Sequence, residues 1–253
     1  MKIIVIGAGN VATHLAMACF TAGHQIVQTW SCHHENAWAL AEQVGAQAIK
    51  DLTEMDSTAD FCLIAVKDDA IAAVVGQLSG FQGIVVHTSG AVSLNIFKEK
   101  VSRYGVFYPL QTFSKAKKVD FSAVPICLEA NNQDVLAILR EIALKLTKTV
   151  VEINSEKRKV LHLAAVFACN FTNHLYKLAN DILVDHSLQF ELIRPLISET
   201  ASKIEKRLPL EVQTGPAVRD DQATMDQHLE MLSDQPKLVE IYRILSDSIK
   251  KSR

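Results

Sequence analysis

The chain has 253 residues, of which 49% are hydrophobic and 21% charged, a balance that lets one large or two ordinary domains bury a core. A formal net charge of -2, without a clustered run of Lys and Arg, argues against nucleic acid as a partner. No apolar stretch approaches the roughly 20 residues of a membrane span, so no membrane partner is expected.

The first apolar run, Met1 to Ile6, stops at Gly7 and is too short for a secretory signal. The five cysteines (Cys19, Cys32, Cys62, Cys127 and Cys169) are odd in number, widely spaced and without a C-x-x-C pair. They read as reduced core residues, and a cytoplasmic location is the expectation.

In chain order, Ile3-Ile4-Val5-Ile6 is apolar throughout, as in a strand buried on both faces. A helix is predicted from about Asn10 to Ala22, ended by Gly23. Gln25 to Trp30 reads as a strand and Glu35 to Val44 as a helix stopped by Gly45. Phe61 to Val66 and Ile84 to His87 are further buried strands. Tyr104 to Tyr108, Val124 to Leu128 and Thr149 to Ile153 complete the β candidates, with a helix over Gln133 to Leu146 before the last.

Strands alternating with helices imply βαβ units and a mainly parallel sheet with helices on both faces. From Ser155 onward the pattern is helical: one long segment to about Asp185, then Leu188 to Arg207, Thr224 to Leu232 and Pro236 to Lys250. The expected organisation is therefore an α/β domain of the Rossmann type over residues 1–153. An all-α domain for substrate or dimerisation over residues 154–253 follows it.

The loop Gly7-Ala8-Gly9-Asn10-Val11-Ala12 follows the first strand and opens the first helix. Gly7 permits the tight turn, Gly9 lets a pyrophosphate approach the backbone, and Ala12 keeps helix and strand close. Phosphate there would meet free N–H groups of Gly9, Asn10 and Val11 at the positive end of a helix dipole. The second strand ends in Trp30-Ser31-Cys32-His33-His34, without the acid that usually binds the ribose of NAD. NADP is the cofactor this favours, NAD the less favoured one, with Ser31, His33 and His34 as the available substitutes for the missing arginine.

Three segments fall at later strand ends, where ligands of such sheets bind: Val66-Lys67-Asp68-Asp69, His87-Thr88-Ser89-Gly90 and Tyr108-Pro109-Leu110-Gln111-Thr112-Phe113. Val66, Asp68 and Ser89 are candidates for cofactor contact, Thr88 and Gly90 for substrate contact. Each has a structural alternative: Asp68 as a helix cap, Ser89-Gly90 as a turn.

On a regular helix, at ~100° per residue, His162, Asn170, Asn173, His174, Lys177 and Asp181 fall within roughly 120° of arc. His162 and Asn170 are catalytic candidates on that face, a crevice wall being the alternative to solvent exposure. A second constellation is Thr214-Gly215-Pro216-Ala217-Val218-Arg219-Asp220-Asp221 with Thr224 and His228. Arg219 could fork onto an anion, Asp221 could orient a histidine or cap the next helix, and His228 is a second proton-donor candidate. No spacing supports a metal site.

The glycine loop, Ala65-Val66-Lys67-Asp68, His87-Thr88-Ser89-Gly90, Tyr108-Pro109-Leu110-Gln111-Thr112-Phe113 and Gly215-Pro216-Ala217-Val218-Arg219-Asp220-Asp221 together resemble one family. It comprises NADP oxidoreductases with a Rossmann-like N-terminal domain and a helical C-terminal domain. It is related to pyrroline-5-carboxylate reductase, ketopantoate reductase and the β-hydroxyacid dehydrogenases. The resemblance implies hydride transfer from NADPH to a small C=O or C=N substrate and a homodimer built through the helical domain. Two departures stand out. Asn170 matches the Asn of the Lys-x-x-x-Asn pair of β-hydroxyacid dehydrogenases, but Val166 stands at the lysine. Tyr108 replaces the histidine of a His-Pro-Leu run. The missing lysine keeps a non-catalytic NAD(P)-binding sensor or interaction protein as the alternative.

Overall fold

The computed structural model describes residues 1–252. The chain divides into two compact units, residues 1–174 and residues 175 onward.

The first unit is built on an eight-stranded sheet. Its strands are β1 (Lys2–Ile6), β2 (Gln25–Trp30), β3 (Gln47–Ala48), β4 (Phe61–Ile64), β5 (Ile84–His87), β6 (Tyr104–Pro109), β7 (Ile126–Ala130) and β8 (Val150–Glu152). Their spatial order is β3-β2-β1-β4-β5-β6-β7-β8. All neighbours are parallel except β6 and β7, which are antiparallel. The first six follow the doubly wound order, whose direction of winding reverses between β1 and β4.

The helices α1 (Asn10–Thr21), α2 (His34–Val44), α3 (Ile71–Gly76) and α4 (Gln133–Leu146) cover the sheet. Alternate residues of each central strand enter different cores. Ile3, Val5, Phe61, Leu63, Ile84 and Val86 join one, and Ile4, Ile6, Cys62, Ile64 and Val85 the other. Burial of both faces is why these strands are unbroken apolar runs rather than alternating ones.

Helix α5 (Ser155–Ala165) begins three residues after β8, as the sequence predicts. The long helix expected from Ser155 to Asp185 is not regular. A π-helical stretch, Val166–Phe171, separates α5 from α6 (Thr172–Asp185). The Thr172 hydroxyl donates to the carbonyl of Phe167, five residues back, at 3.2 Å. A π turn holds an extra residue, so everything beyond it is rotated by about 100° from a regular wheel. The arc joining His162 to Asn170, Asn173 and His174 is therefore not one face, and Asn170 lies exposed inside the π stretch. The two compact units meet in sequence within α6.

The second unit adds α7 (Arg194–Ile204), α8 (Pro209–Val212), α9 (Pro216–Arg219), α10 (Gln222–Met231) and α11 (Pro236–Lys251). Two short helices, α8 and α9, lie where only a turn was legible. Cys19, Cys62 and Cys127 are buried, but Cys32 and Cys169 are exposed, which corrects their reading as core residues. Cys32 follows β2 outside the sheet, and Cys169 sits in the π stretch. Among the described residues no helix is long and apolar enough to cross a membrane, and no three His, Cys, Asp or Glu side chains cluster as a metal site.

Candidate active site at the carboxyl edge of the sheet

The glycine loop leaves β1 at the point where the winding of the sheet reverses. Gly7 has φ +116°, and a Cβ there would lie 2.2 Å from the carbonyl oxygen of Ala65, just beyond β4. Its N–H donates to the carbonyl of Trp30, at the end of β2, at 2.7 Å. Gly7 thus ties together the ends of three adjacent strands and leaves no room for a side chain.

Gly9 differs. Its φ is -78°, and a Cβ built on it would meet nothing within 4 Å. It forms the N-cap of α1 without a side-chain cap, and the first turn carries no acid. By contrast, α4, α5 and α10 are capped by Asn132, Asn154 and Asp221. The first N–H groups of α1, those of Asn10 and Val11 included, are thus left to an external acceptor. An open, side-chain-free approach to a positive helix end fits a pyrophosphate. The Asn10 side chain itself is engaged elsewhere: its Nδ2 donates to the carbonyl of Phe113 at 3.0 Å. His14 bonds the carbonyl of Ser114 at 2.9 Å, so both side chains hold the segment after β6 against α1.

Ser31 and His33 follow β2, the hydroxyl of Ser31 accepting from the N–H of His33 at 3.4 Å. His33 is exposed and caps α2 through its backbone alone. Val66 is half-buried beyond β4, and Asp68 is exposed in a single 3₁₀ turn where neither it nor Asp69 forms a capping bond. The 3₁₀ turn is capped by Lys67, so the cap alternative for Asp68 is not what the structure shows.

Beyond β5, Thr88 is buried and donates twice to the carbonyl of Ile64, from N–H at 3.1 Å and from Oγ1 at 3.4 Å. The hydroxyl of Ser89 accepts from the N–H groups of Ala91 and Val92 at 3.1 and 3.0 Å, closing a turn. Its own proton is left to donate. His87 is wholly buried, accepts from the N–H of Ser89 at 3.2 Å and stacks on Phe97. Burial, with the nearby Arg158 charge and against the Ser93 carbonyl, pushes its pKa down to about 3.

The strongest juxtaposition in the first unit joins Gly90, Tyr108 and His162. The strand pairing ends at His87 opposite Val106, and Tyr108 continues β6 past that end. Its hydroxyl lies 3.1 Å from Nδ1 of His162, with the rings edge to face. A Cβ on Gly90 would stand 2.7 Å from Cγ and Nδ1 of His162, so the imidazole rests on the bare backbone of Gly90. Burial pushes the Tyr108 phenol up to about 12, with Cys127 and Asp68 adding to the rise and Arg158 opposing it.

His162 is placed by a buried clamp one helical turn earlier. Arg158 is 1% exposed; its guanidinium pairs with Glu129 of β7 and donates to the carbonyl of Val92 at 2.5 Å. Ser155 donates to the two carboxylate oxygens of Glu129 at 2.9 and 2.7 Å, and its hydroxyl accepts from the N–H of Leu94 at 3.0 Å. Strand β7, the segment after β5 and the first turn of α5 are thereby locked together. Tyr108, Glu129 and Arg158 were not among the candidate site residues. Tyr108 carried a signal, as the first residue of a run at a strand end. Glu129 and Arg158 carried none, because isolated charges read as solvated.

The remaining candidates belong to the second unit. Asp221 caps α10, accepting from the N–H and hydroxyl of Thr224 at 3.2 and 2.8 Å, which holds its carboxyl below the usual range. His228 bonds the hydroxyl of Tyr242 through Nδ1 at 2.9 Å. Arg219 ends α9 and is exposed. These side chains order a turn and three helices within their own unit.

Residues 2–89 match the family described as NADP oxidoreductase, coenzyme F420-dependent, and residues 124–249 match a domain of unknown function, DUF2520. A search of curated proteins finds no match. A crystal structure described as a "putative NADP oxidoreductase" from Bacteroides fragilis is 43% identical, with TM-score 0.94 over 99% of this chain and 98% of that one. A protein from Thermotoga maritima is 25% identical, with TM-score 0.74 over 98% and 97%. A 1-pyrroline-5-carboxylate reductase from Streptococcus pyogenes, at 15% identity, shares the fold, with TM-score 0.66 over 99% and 98%. With its glycine loop at the turning point of a doubly wound sheet, the chain belongs to the family of NADP oxidoreductases that join this N-terminal domain to a DUF2520 domain.

Proposed function

We propose that this oxidoreductase is a reductase that uses NADPH on a small substrate bearing C=O or C=N. The observation that carries the reading is Gly9, open above and uncapped, at the positive end of α1 where the sheet reverses. Gly7, Gly9, Asn10 and Val11 would hold the pyrophosphate through the backbone. Ser31 and His33 would face the ribose phosphate of NADP, since β2 ends without the acid that would repel it. Val66, Asp68 and Ser89 would border the nicotinamide half, and NADPH would supply hydride. Thr88, Gly90 and His162 would flank the substrate, with Asn170 of the same unit as a further candidate.

The test is a paired calorimetric titration with NADPH and NADH. Tighter binding of NADPH supports the reading; equal or absent binding of both sinks it. Val166, standing where related dehydrogenases carry lysine, favours one rival: a protein that binds the dinucleotide without turnover. NADPH consumption on a substrate panel separates the two.

A second copy of the chain is the partner we propose. Val160, Leu163, Phe167 and Phe171 of the first unit are each at least half exposed. Exposed apolar side chains gathered in one short stretch support an interface there.

A further inference from the structure

We infer that Tyr108 is the proton donor of this site, held for donation by His162. The inference rests on the reductase reading above. Hydride added to the carbon of a C=O or a neutral C=N group pushes the π pair onto oxygen or nitrogen, which must then receive a proton. Either substrate therefore needs an O–H or N–H donor in the site.

The structure supplies one. The Tyr108 hydroxyl sits at the strand end, 3.1 Å from a ring nitrogen of His162. The phenol is neutral at neutral pH by its ordinary value, and burial pushes it further up. The groups whose charge acts on Tyr108 are Arg158 and Asp68, together with the Cys127 thiol. Arg158 is paired with Glu129, and Asp68 is exposed and the weakest of these influences.

The proton path balances. With a carbonyl substrate, as the carbon–hydride bond forms, the phenolic O–H of Tyr108 breaks and an O–H bond forms on the substrate oxygen. Nδ1–H of His162 returns a proton to the phenolate, and Nε2 takes one from water at the partly exposed face of the ring. The sum is a carbonyl, a reduced nicotinamide and one solvent proton giving an alcohol and the oxidised nicotinamide. Gly90 is part of the device: any side chain there would push the imidazole away from Tyr108.

The test compares the whole protein with Tyr108→Phe and His162→Asn. NADPH affinity, read by calorimetry, should be unchanged within about twofold in both. Ultraviolet titration should show a late-ionising phenol that Tyr108→Phe removes and His162→Asn shifts. A panel of aldehydes, ketones and cyclic imines should contain a substrate that the parent protein reduces. Tyr108→Phe should then lower kcat by about 10²–10⁴-fold, with KM little changed. Reduction that survives Tyr108→Phe within about tenfold, or turnover of neither class by a protein that binds NADPH, would each overturn the inference. Failure to bind NADPH would instead bring down the reductase reading, and the inference with it.

Discussion

Gly7 and Gly9 belong to one motif, yet the structure assigns them opposite dependencies. Gly7→Ala places a Cβ 2.2 Å from the Ala65 carbonyl oxygen at a φ of +116°. The backbone conformation alone costs a residue with a side chain roughly 1–2 kcal/mol. Forcing β1 away from the end of β4 adds roughly 1–3 kcal/mol, the usual scale of overpacking. The sum, about 2–5 kcal/mol, is a large part of a domain's stability and corresponds to a fall in Tm on the order of 10 °C. Gly9→Val has no such consequence. Its side chain enters open space at an ordinary φ, so only the poorer N-cap is felt and Tm should move by no more than about 4 °C. It would, however, cover the N–H groups that await a phosphate. Losing two charge-assisted bonds of roughly 1.5–3 kcal/mol each weakens NADPH by about 10²–10⁴-fold. Differential scanning calorimetry gives the first quantity and isothermal titration the second. A Gly9→Val protein that binds NADPH like the parent, or a Gly7→Ala protein with the parent Tm, would refute the assignment.

Arg158→Met leaves Glu129 without its partner and should destabilise the first unit by about 3–5 kcal/mol in denaturant unfolding. Adding Glu129→Leu should recover part of that loss, and full recovery by Arg158→Lys would contradict a role for the forked guanidinium. His87 has a pKa of about 3 in the folded protein and 6.5 as its ordinary value. The unfolded chain therefore binds the extra proton first, and stability falls as pH drops from 6.5 to about 3, by up to about 5 kcal/mol from this residue. His87→Asn, which retains an acceptor for the Ser89 N–H, should flatten that acid limb; an unchanged limb would place the acid sensitivity elsewhere. Phe167→Glu puts a charge among the exposed apolar side chains of the helix, and sedimentation should show the dimer converting to monomer. A parent protein that sediments as a monomer at every concentration would remove the proposal.

Much of the α/β architecture was legible because its causes are local. The runs Ile3-Ile4-Val5-Ile6, Phe61-Cys62-Leu63-Ile64 and Ile84-Val85-Val86 are apolar on both sides, as strands buried on both faces must be. Gly7 and Gly9 mark a strand-to-helix turn by chemistry that neighbours in sequence supply. The antiparallel pairing of β7 with β6 was not legible, since strand direction is set by where a connection lands and not by the strand's own composition. The π stretch was also hidden. Val166–Phe171 holds no Gly or Pro to mark a break, and an extra residue in one turn leaves no periodic trace in so short a segment.

The site divides along the same line. The sequence by itself determined the phosphate cradle, because everything it needs lies between Ile3 and Ala12. It also picked out His162 as a residue of interest, though by a helical face that the π turn dissolves beyond Ala165. Only the tertiary structure decided what His162 does. Its partner Tyr108 is 54 positions away, and the clamp that sets it joins Arg158 to Glu129, 29 positions apart. Such pairs form because the sheet brings the ends of β5 and β6 and the neighbouring antiparallel β7 beside the start of α5 and seals them from water. A lone charge or phenol in the sequence gives no hint of that closure, which depends on the packing of the whole first unit.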